Sequence, residues 1–375
     1  MSVMTAAKNW GTPPWEIDFQ STPRAIPEAV DFAIVGGGFT GLSAAALLAR
    51  LAPEKSVALF EAETFGFGAS GHTGGMVLAE TAAGDLPNLG DVLAEYQEIL
   101  QQLEISCDLT LPGVWEVARR NSPTPSPISW SDSGEVRIVK EVPGGTVDPG
   151  KVVSGLARAA ELKGAQLFEN ARVEDVHFEN PLRLSVGDKS LLAQKILFAT
   201  NAQSLELSAL EEKGEANFTL AVATEILTTK QLDVLGFASG KPFYTQDMPY
   251  LWGRLLNNNQ LILGSGLVHT EDWRELTILD ISRGEAAERM ANLERRVRGL
   301  HPLLEKISFT HRWGGPILIA EDMVPVFAHH PRSANAIVLG AFSGHGVALS
   351  VYLGRWAAQA LLGQRELPAW QCDSR

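Results

Sequence analysis

The glycines at 36, 38 and 41, with the acid Glu61 placed 20 positions beyond Gly41, carry the clearest chemistry in this chain. Gly36 permits a tight turn after an apolar run. Gly38 would let a pyrophosphate approach a backbone that a Cβ would obstruct, and Gly41 would let a helix pack close to the preceding strand. A helix that begins at Phe39 and Thr40 offers unpaired N–H groups and partial positive charge to phosphates. Glu61 stands where an acidic side chain takes the ribose hydroxyls of an adenine dinucleotide. A turn that merely packs a helix on a sheet would account for the glycines but not for Glu61. These residues suit FAD and NAD alike.

Positioning them requires a strand at 31–35, a helix through the apolar run 42–51 and a second strand at Val57–Phe60. A glycine- and serine-rich loop follows. Residues 89–106 have Leu93, Tyr96, Ile99, Leu100 and Leu103 at helical spacing. Residues 111–147 alternate short apolar runs with Pro and Gly and read as strands and loops, with 121–127 the least structured part. Asp148-Pro149 suits a helix start, and Gly164 ends that helix after Lys163. Residues 166–169 read as the next parallel strand, followed by strands at 173–178, 182–186 and 191–198. Between 206 and 320 the pattern mixes strands (221–227, 260–264) with one charged helix at 285–299. Residues 324–362 return to strand, turn, strand, glycine turn and helix, with His329-His330 in the proline-flanked turn. No internal repeat is visible.

The bulk numbers bound the rest. With 375 residues and 45% hydrophobic content, the chain can build two domains, or one sheet with a large insertion. The net charge of −13 and the lack of a long basic stretch argue against nucleic acid as a partner. Two distant cysteines, Cys107 and Cys372, suggest reduced thiols in the cytoplasm. No signal-peptide pattern and no membrane-length apolar run appears. The adjacent His329 and His330 lack a carboxylate or Cys at ligand spacing, so no metal is expected.

Four blocks carry a family resemblance: 34–41 with Glu61; Gly66-Phe67-Gly68-Ala69-Ser70-Gly71-His72-Thr73-Gly74-Gly75-Met76; Ile196-Leu197-Phe198-Ala199-Thr200-Asn201-Ala202; and Gly340-Ala341-Phe342-Ser343-Gly344-His345-Gly346-Val347 before a helix. Together they resemble the D-amino-acid-oxidase (DAO) family of FAD-dependent oxidoreductases. The second and third are similar to the loop and strand end of its gamma-glutamylputrescine oxidoreductase branch. The fourth resembles the family's G-x-S-G-H-G turn beneath the flavin. The blocks span about half the chain, nearly all of it on the cofactor side. NAD would leave the last three unexplained, so the resemblance implies FAD.

The resemblance implies an α/β fold: a Rossmann-like FAD-binding domain of the glutathione-reductase type, with an inserted α+β substrate domain on an antiparallel sheet. The FAD-binding segments would be 1–88, 147–205 and 321–375, and the substrate segments 89–146 and 206–320. Cofactor contacts would come from Gly36, Gly38, Phe39, Thr40, Gly41 and Glu61, and from Gly68, Ala69, Ser70, Gly71, His72, Gly75 and Met76. Val173, Ala199 and Thr200 would add to them. Gly344, His345, Gly346, Val347 and Ala348 would lie near the flavin N1–C2=O edge, where a helix start favours the negative charge of the reduced ring. His345 could add a donor or a cation there.

His72 takes the place of an Arg usual in the branch. It aligns with a His that dimethylglycine dehydrogenases bond to the flavin 8α-methyl. Noncovalent FAD is expected, with a link through His72 as the alternative. The cysteine link of sarcosine oxidases is excluded, because Arg312, Trp313, Gly314 and Gly315 occupy that segment. Ala348 stands where those enzymes carry a carboxylate-binding Lys, which speaks against a simple N-methyl amino acid.

Substrate-pocket candidates are Tyr250, Trp252, Arg254 and Trp313: aromatic walls for an amine and a guanidinium for a carboxylate. The implied activity oxidises the C–N bond of an amine or amino acid. The α C–H delivers hydride to flavin N5, and the resulting imine hydrolyses; oxygen or another acceptor then takes the electrons. No general base is required once the amine is neutral, and none is assigned. The rivals are a flavin hydroxylase, which would carry a G-D motif in place of S-G-H-G, and a flavoprotein subunit that works only with a partner.

Overall fold

The strand Ala29–Val35 is the centre from which the first sheet grows. Its sequence, Ala-Val-Asp-Phe-Ala-Ile-Val, buries both faces over its second half, as a strand flanked on both sides must. The protein is described by a computed structural model covering residues 8–119 and 128–371. Residues 121–127 and Cys372, singled out above, lie outside the described residues. Ala29–Val35 pairs in parallel with Val57–Phe60 on one side and Lys189–Phe198 on the other. Gln166–Phe168 and Ser333–Gly340 extend this parallel sheet outward. Val326–His330 closes one edge antiparallel, and Val173–His177 and Leu182–Val186 form an antiparallel flap on Lys189–Phe198.

Helix Phe39–Leu51 packs against Pro149–Leu162 and Gly346–Leu361 in one apolar cluster. Ala44, Ala45 and Ala46 on the first, and Ala157 and Ala160 on the second, keep the side chains small enough for a close approach. Pro149–Leu162 starts as its sequence dictates: the Asp148 side chain accepts from Lys151 N at 3.0 Å, with Pro in the first turn.

A second sheet stands beside the first. Its order is Phe309–Ala320, Gly214–Ile226, Gln260–His269, Leu251–Leu255, Phe243–Thr245, Val114–Arg119, Glu135–Val142 and Trp130–Ser131. All its pairs are antiparallel except Phe243–Thr245 with Val114–Arg119. Helix Gly284–Leu300 covers it through Ala286, Met290, Leu293, Val297 and Leu300, a stripe at spacings of three and four. The N-terminal segment is pinned to this sheet. Gly11 bridges to Trp313, Gly314 N donates to Trp10 O at 2.9 Å, and Trp10 and Trp15 are buried.

Two expectations change. The strands read at 221–227 and 260–264 belong to the longer Gly214–Ile226 and Gln260–His269, the first ending one residue earlier than expected; polar Asn217, Thr219 and Ser265 interrupt the apolar run, and the pairing shifts register between Thr219 and Leu220 but continues on both sides. His329 and His330 are not in a solvated turn. They end the strand Val326–His330, and the turn is Pro331-Arg332. His330 is only 4% exposed and stacks on Phe178 with ring centroids 4.3 Å apart.

Candidate active site

One cavity of about 870 Å³ opens at the carboxyl ends of Ala29–Val35, Val57–Phe60 and Lys189–Phe198 and runs to the second sheet. Ligands of open α/β sheets bind at that end of the strands. Around the first turn, Gly36 N donates to Phe60 O at 2.9 Å, which draws the turn across the neighbouring strand end. A Cβ on Gly41 would stand 2.0 Å from Gly36 O, so only glycine lets the helix start this close. Glu61 is held by two main-chain donors. Its Oε2 accepts from Gly37 N at 2.7 Å and its Oε1 from Glu63 N at 2.9 Å. Burial raises its carboxyl pKa, and the hydrogen bonds from Glu63 and Gly37 oppose that. Ser70, from the second block, accepts from Phe39 N at 2.9 Å and ties that loop to the first helix turn.

The C-terminal turn is fixed from two sides. Asn201 Oδ1 accepts from Ala341 N at 2.9 Å. Ser343 N donates to Leu318 O at 3.2 Å, and its Oγ accepts from Ala320 N at 3.0 Å. Ala341, Ser343 and Gly344 have φ of 57°, 50° and 88°, the left-handed region. The turn leads straight into helix Gly346–Leu361, whose first residues Gly346 and Val347 line the cavity; the first N–H groups of a helix have no partner within it. His345 precedes this helix. Burial lowers its pKa, and the hydrogen bond with Ser343 O opposes that.

His72 too has its pKa lowered by burial, with its backbone contacts opposing that. Its Nδ1 lies 3.0 Å from Gly68 O, which assigns the proton to that nitrogen and leaves Nε2 as an acceptor. Its carbonyl accepts from Trp313 Nε1 at 3.0 Å, and Trp15 Nε1 donates to Gly71 O at 2.8 Å.

Of the expected cofactor residues, Gly36, Gly38, Phe39, Thr40, Glu61, Gly68, Ala69, Ser70, His72, Met76, Val173, Ala199, Thr200, Gly344, His345, Gly346 and Val347 all line this cavity. Gly41, Gly71, Gly75 and Ala348 lie behind it. From the second sheet Trp252, and just before its strand Tyr250, line it; Trp313 borders it but is fully buried, its ring packed edge-on against Trp15. The Trp252 ring is wedged between Gly74 and Gly264, where a Cβ on either would come within 2.2 Å of ring atoms.

Arg254 is a correction. It does not line the cavity, and it is buried beneath the Gly74-Gly75 loop, its Nε donating to Gly74 O. Desolvation lowers its pKa to about 10. It holds the loop rather than a substrate carboxylate. Sequence reasoning also passed over Arg172, Gln203, Gln246, Met248, Ser265, His269 and Arg289, which line the cavity. Gly37, Thr73, Gly74, Asn201, Phe342 and Ser343 also line it, and these stood inside the quoted blocks.

The residues fit a large polar dinucleotide. Thr200 Oγ1 and Ser350 Oγ are buried at the cavity wall without a protein partner, and an extended polar ligand would satisfy them. Among the described residues no cluster of His, Cys, Asp or Glu could hold a metal, and no helix is long and apolar enough to cross a membrane.

The family model described as FAD dependent oxidoreductase (DAO) matches residues 31–360. This chain belongs to that family. It therefore uses FAD, and the hydroxylase and partner-only readings are not favoured. Gamma-glutamylputrescine oxidoreductase of Escherichia coli is 26% identical, covering 90% of this chain and 84% of its own length. A probable oxidoreductase OrdL of Haemophilus influenzae is 25% identical over 93% of this chain and 86% of its own. Among solved structures, glycine oxidase from Geobacillus kaustophilus superposes with a TM-score of 0.72 at 21% identity, covering 92% of this chain and 98% of that one. L-proline dehydrogenase from P. horikoshii gives 0.71 at 16% identity, covering 91% and 95%. These DAO-type folds share the mixed α/β architecture.

Proposed function

We propose that this DAO-family chain oxidises a C–N bond of an amine or amino acid. The observation that carries the reading is one continuous cavity shared by the Gly36–Gly38 turn, the Gly344–Gly346 turn and the aromatic wall of Tyr250 and Trp252. FAD, when bound, supplies a hydride acceptor at N5. The protein supplies placement. The start of helix Phe39–Leu51 faces the pyrophosphate, and Glu61 takes ribose hydroxyls. The start of Gly346–Leu361 favours negative charge at the N1–C2=O edge. Tyr250 and Trp252 exclude water and hold the reacting carbon against the ring. Glu61 is the one carboxylate among the described lining residues, and it sits at the glycine-turn end. An ammonium at the aromatic end therefore meets no counter-charge, which favours the neutral amine.

In this reading residues 1–88, 147–205 and 321–375 bind FAD, and 89–146 and 206–320 shape the substrate site. The relatives named glycine oxidase and L-proline dehydrogenase support C–N chemistry. FAD is noncovalent, oxygen or another small acceptor completes turnover, and the chain works in the cytoplasm.

The test is anaerobic mixing of the yellow protein with a panel that includes glycine, L-proline, sarcosine, putrescine and gamma-glutamylputrescine. At least one should bleach the flavin and yield an aldehyde or keto acid, faster as pH rises and the amine loses its proton. If dithionite bleaches the flavin and no amine does, the reading fails. Acid precipitation addresses His72: yellow supernatant supports noncovalent FAD, and a yellow pellet lost in His72→Asn shows the covalent link.

A further inference from the structure

Two arginines and an aspartate behind the cavity wall grip the segment that carries Met248 and Tyr250. Arg119 ends the strand Val114–Arg119, and Arg296 lies in helix Gly284–Leu300. Asp132, 7% exposed, sits between them. Arg296 Nε donates to Asp132 Oδ1 at 3.0 Å and Nη2 to Oδ2 at 2.7 Å, and Arg119 Nη2 reaches the same Oδ2. Burial alone would raise the Asp132 carboxyl; the two arginines outweigh it and hold the group below the usual range.

The remaining donors turn to four consecutive main-chain carbonyls. Arg119 Nη1 faces Asp247 O at 3.2 Å and Met248 O at 3.5 Å. Both guanidinium groups reach Pro249 O, at 3.0 Å from Arg119 and 2.6 Å from Arg296. Arg296 Nη1 donates to Tyr250 O at 2.8 Å and to Ser265 Oγ. Arg119 N adds a bond to Asp247 Oδ2 at 2.7 Å.

Two largely buried guanidinium groups share the buried Asp132, and Arg119 Nη1 also reaches Asp247 Oδ2 at 3.4 Å; the N–H donors left over are buried and need acceptors, which the main-chain carbonyls supply. The carbonyls of 247–250 are thereby drawn toward the triad, and Met248, Pro249 and Tyr250 line the cavity. We propose that Arg119, Asp132 and Arg296 are positioning residues: they fix segment 247–250 and so set where Tyr250 and Met248 stand against the substrate. They touch neither substrate nor cofactor. The assignment rests on the reading of the cavity as an amine-oxidation site.

The FAD-loaded full chain is compared with Asp132→Asn, Arg296→Met and the conservative Arg296→Lys. Hydrogen–deuterium exchange of peptides spanning 246–251 is read beside kcat/KM for the amine that bleaches the flavin best. Asp132→Asn and Arg296→Met should speed exchange in that segment and keep a wild-type FAD content. They should also lower kcat/KM by about 10- to 100-fold, the scale of a 1 Å misplacement, with Arg296→Lys in between. In a Met248→Ala/Tyr250→Ala background the same substitutions should cost only about twofold, because the shared element is already gone. Unchanged exchange at 246–251 overturns the proposal, and so do losses that simply add in that background. Loss of FAD and fold in all three variants, Arg296→Lys included, also overturns it, since the triad would then support the molecule at large. If the wild type is bleached by no amine, the reading of function fails, and exchange still judges the triad.

Discussion

Arg254 shows what a side chain's type leaves open. Trp252 and Arg254 share a face of the strand Leu251–Leu255, as period-two alternation requires. The loop at Gly74-Gly75 crosses that face, covers Arg254 and leaves part of Trp252 at the cavity. No local pattern announces a crossing between residues some 180 positions apart. Glu61 is the opposite case, legible because a strand, a turn, a helix and a second strand fix its place within one short stretch. Arg254→Met should loosen the Gly74 loop and weaken FAD binding about tenfold, as a lost hydrogen bond to a charged group costs about 1.5–3 kcal/mol. Titration of apoprotein with FAD checks this; unaltered FAD affinity with a KM raised only for carboxylate-bearing substrates would restore Arg254 to the substrate site. His72 and His345 make a second statement. Burial lowers both pKa values in the folded chain, whereas the unfolded chain keeps the ordinary value near 6.5. The unfolded state then binds more protons below that value, so stability is held above about pH 6.5 and lost as pH falls beneath it. Melting scans from pH 8 to 5.5 should show the drop, and His72→Asn with His345→Asn should reduce it, the remainder coming from His330 and His311, which burial shifts the same way.

At the scale of elements, legibility followed how local the cause was. Helices Val92–Gln102 and Pro149–Leu162 carry their own caps, Asp91 and Asp148, and both are readable from sequence. The strands Met76–Leu78, Trp130–Ser131 and Phe243–Thr245 are two or three residues long; the first pairs with the distant Gly144–Thr146, the second with its hairpin neighbour Glu135–Val142, and the third with both the nearby Leu251–Leu255 and the distant Val114–Arg119. Nothing in a window of that size distinguishes them from loop. The wedge of Trp252 between Gly74 and Gly264 joins one such short strand's neighbour to the flavin-side loop. Gly264→Ala would place a Cβ 2.2 Å from ring atoms. The ring must shift, at a cost of about 1–3 kcal/mol, and the aromatic wall shifts with it. A lower melting temperature with altered tryptophan fluorescence is the expected result; a wild-type melt would show that the ring moves freely. Asn201 does similar work between the end of Lys189–Phe198 and the C-terminal turn. Its own φ of 47° is left-handed, which Asn tolerates better than most residues. Asn201→Ala loses both the bond to Ala341 N and that tolerance, and should lower the melting temperature and FAD affinity together.

At the scale of the whole molecule, segments from opposite ends of the chain meet through strand pairing and helix packing: Ala29–Val35 lies beside Lys189–Phe198, which lies beside Ser333–Gly340, and helix Phe39–Leu51 packs on Gly346–Leu361, where Ser43 Oγ donates to Val351 O at 2.7 Å. Both glycine turns grow from this sheet, and that convergence was readable because each turn announces its own helix. Of the second sheet's side, Tyr250 and Trp252 were named through the family resemblance and do line the cavity, whereas Gln246, His269 and Arg289 were not, since their place depends on how two sheets stand together. The cavity lies where they meet, with Thr200 Oγ1 and Ser350 Oγ unpartnered at its wall. A ligand that fills it bonds to both ends of the chain at once and exists only for the native state. Such a ligand stabilises by RT ln(1 + [L]/Kd), about 2.7 kcal/mol at a hundredfold excess over Kd. Stripped of FAD, the chain should melt several degrees lower. FAD added back should raise the melting temperature in proportion to the logarithm of its concentration. NAD, which shares the adenine and pyrophosphate but not the isoalloxazine ring, should engage Glu61 and the Gly36–Gly38 turn yet reach nothing at Gly344–Gly346. It should therefore shift the melt far less. Equal shifts from the two dinucleotides would mean that the C-terminal turn contributes nothing to binding, and the joining of the two ends through one cofactor would have to be given up.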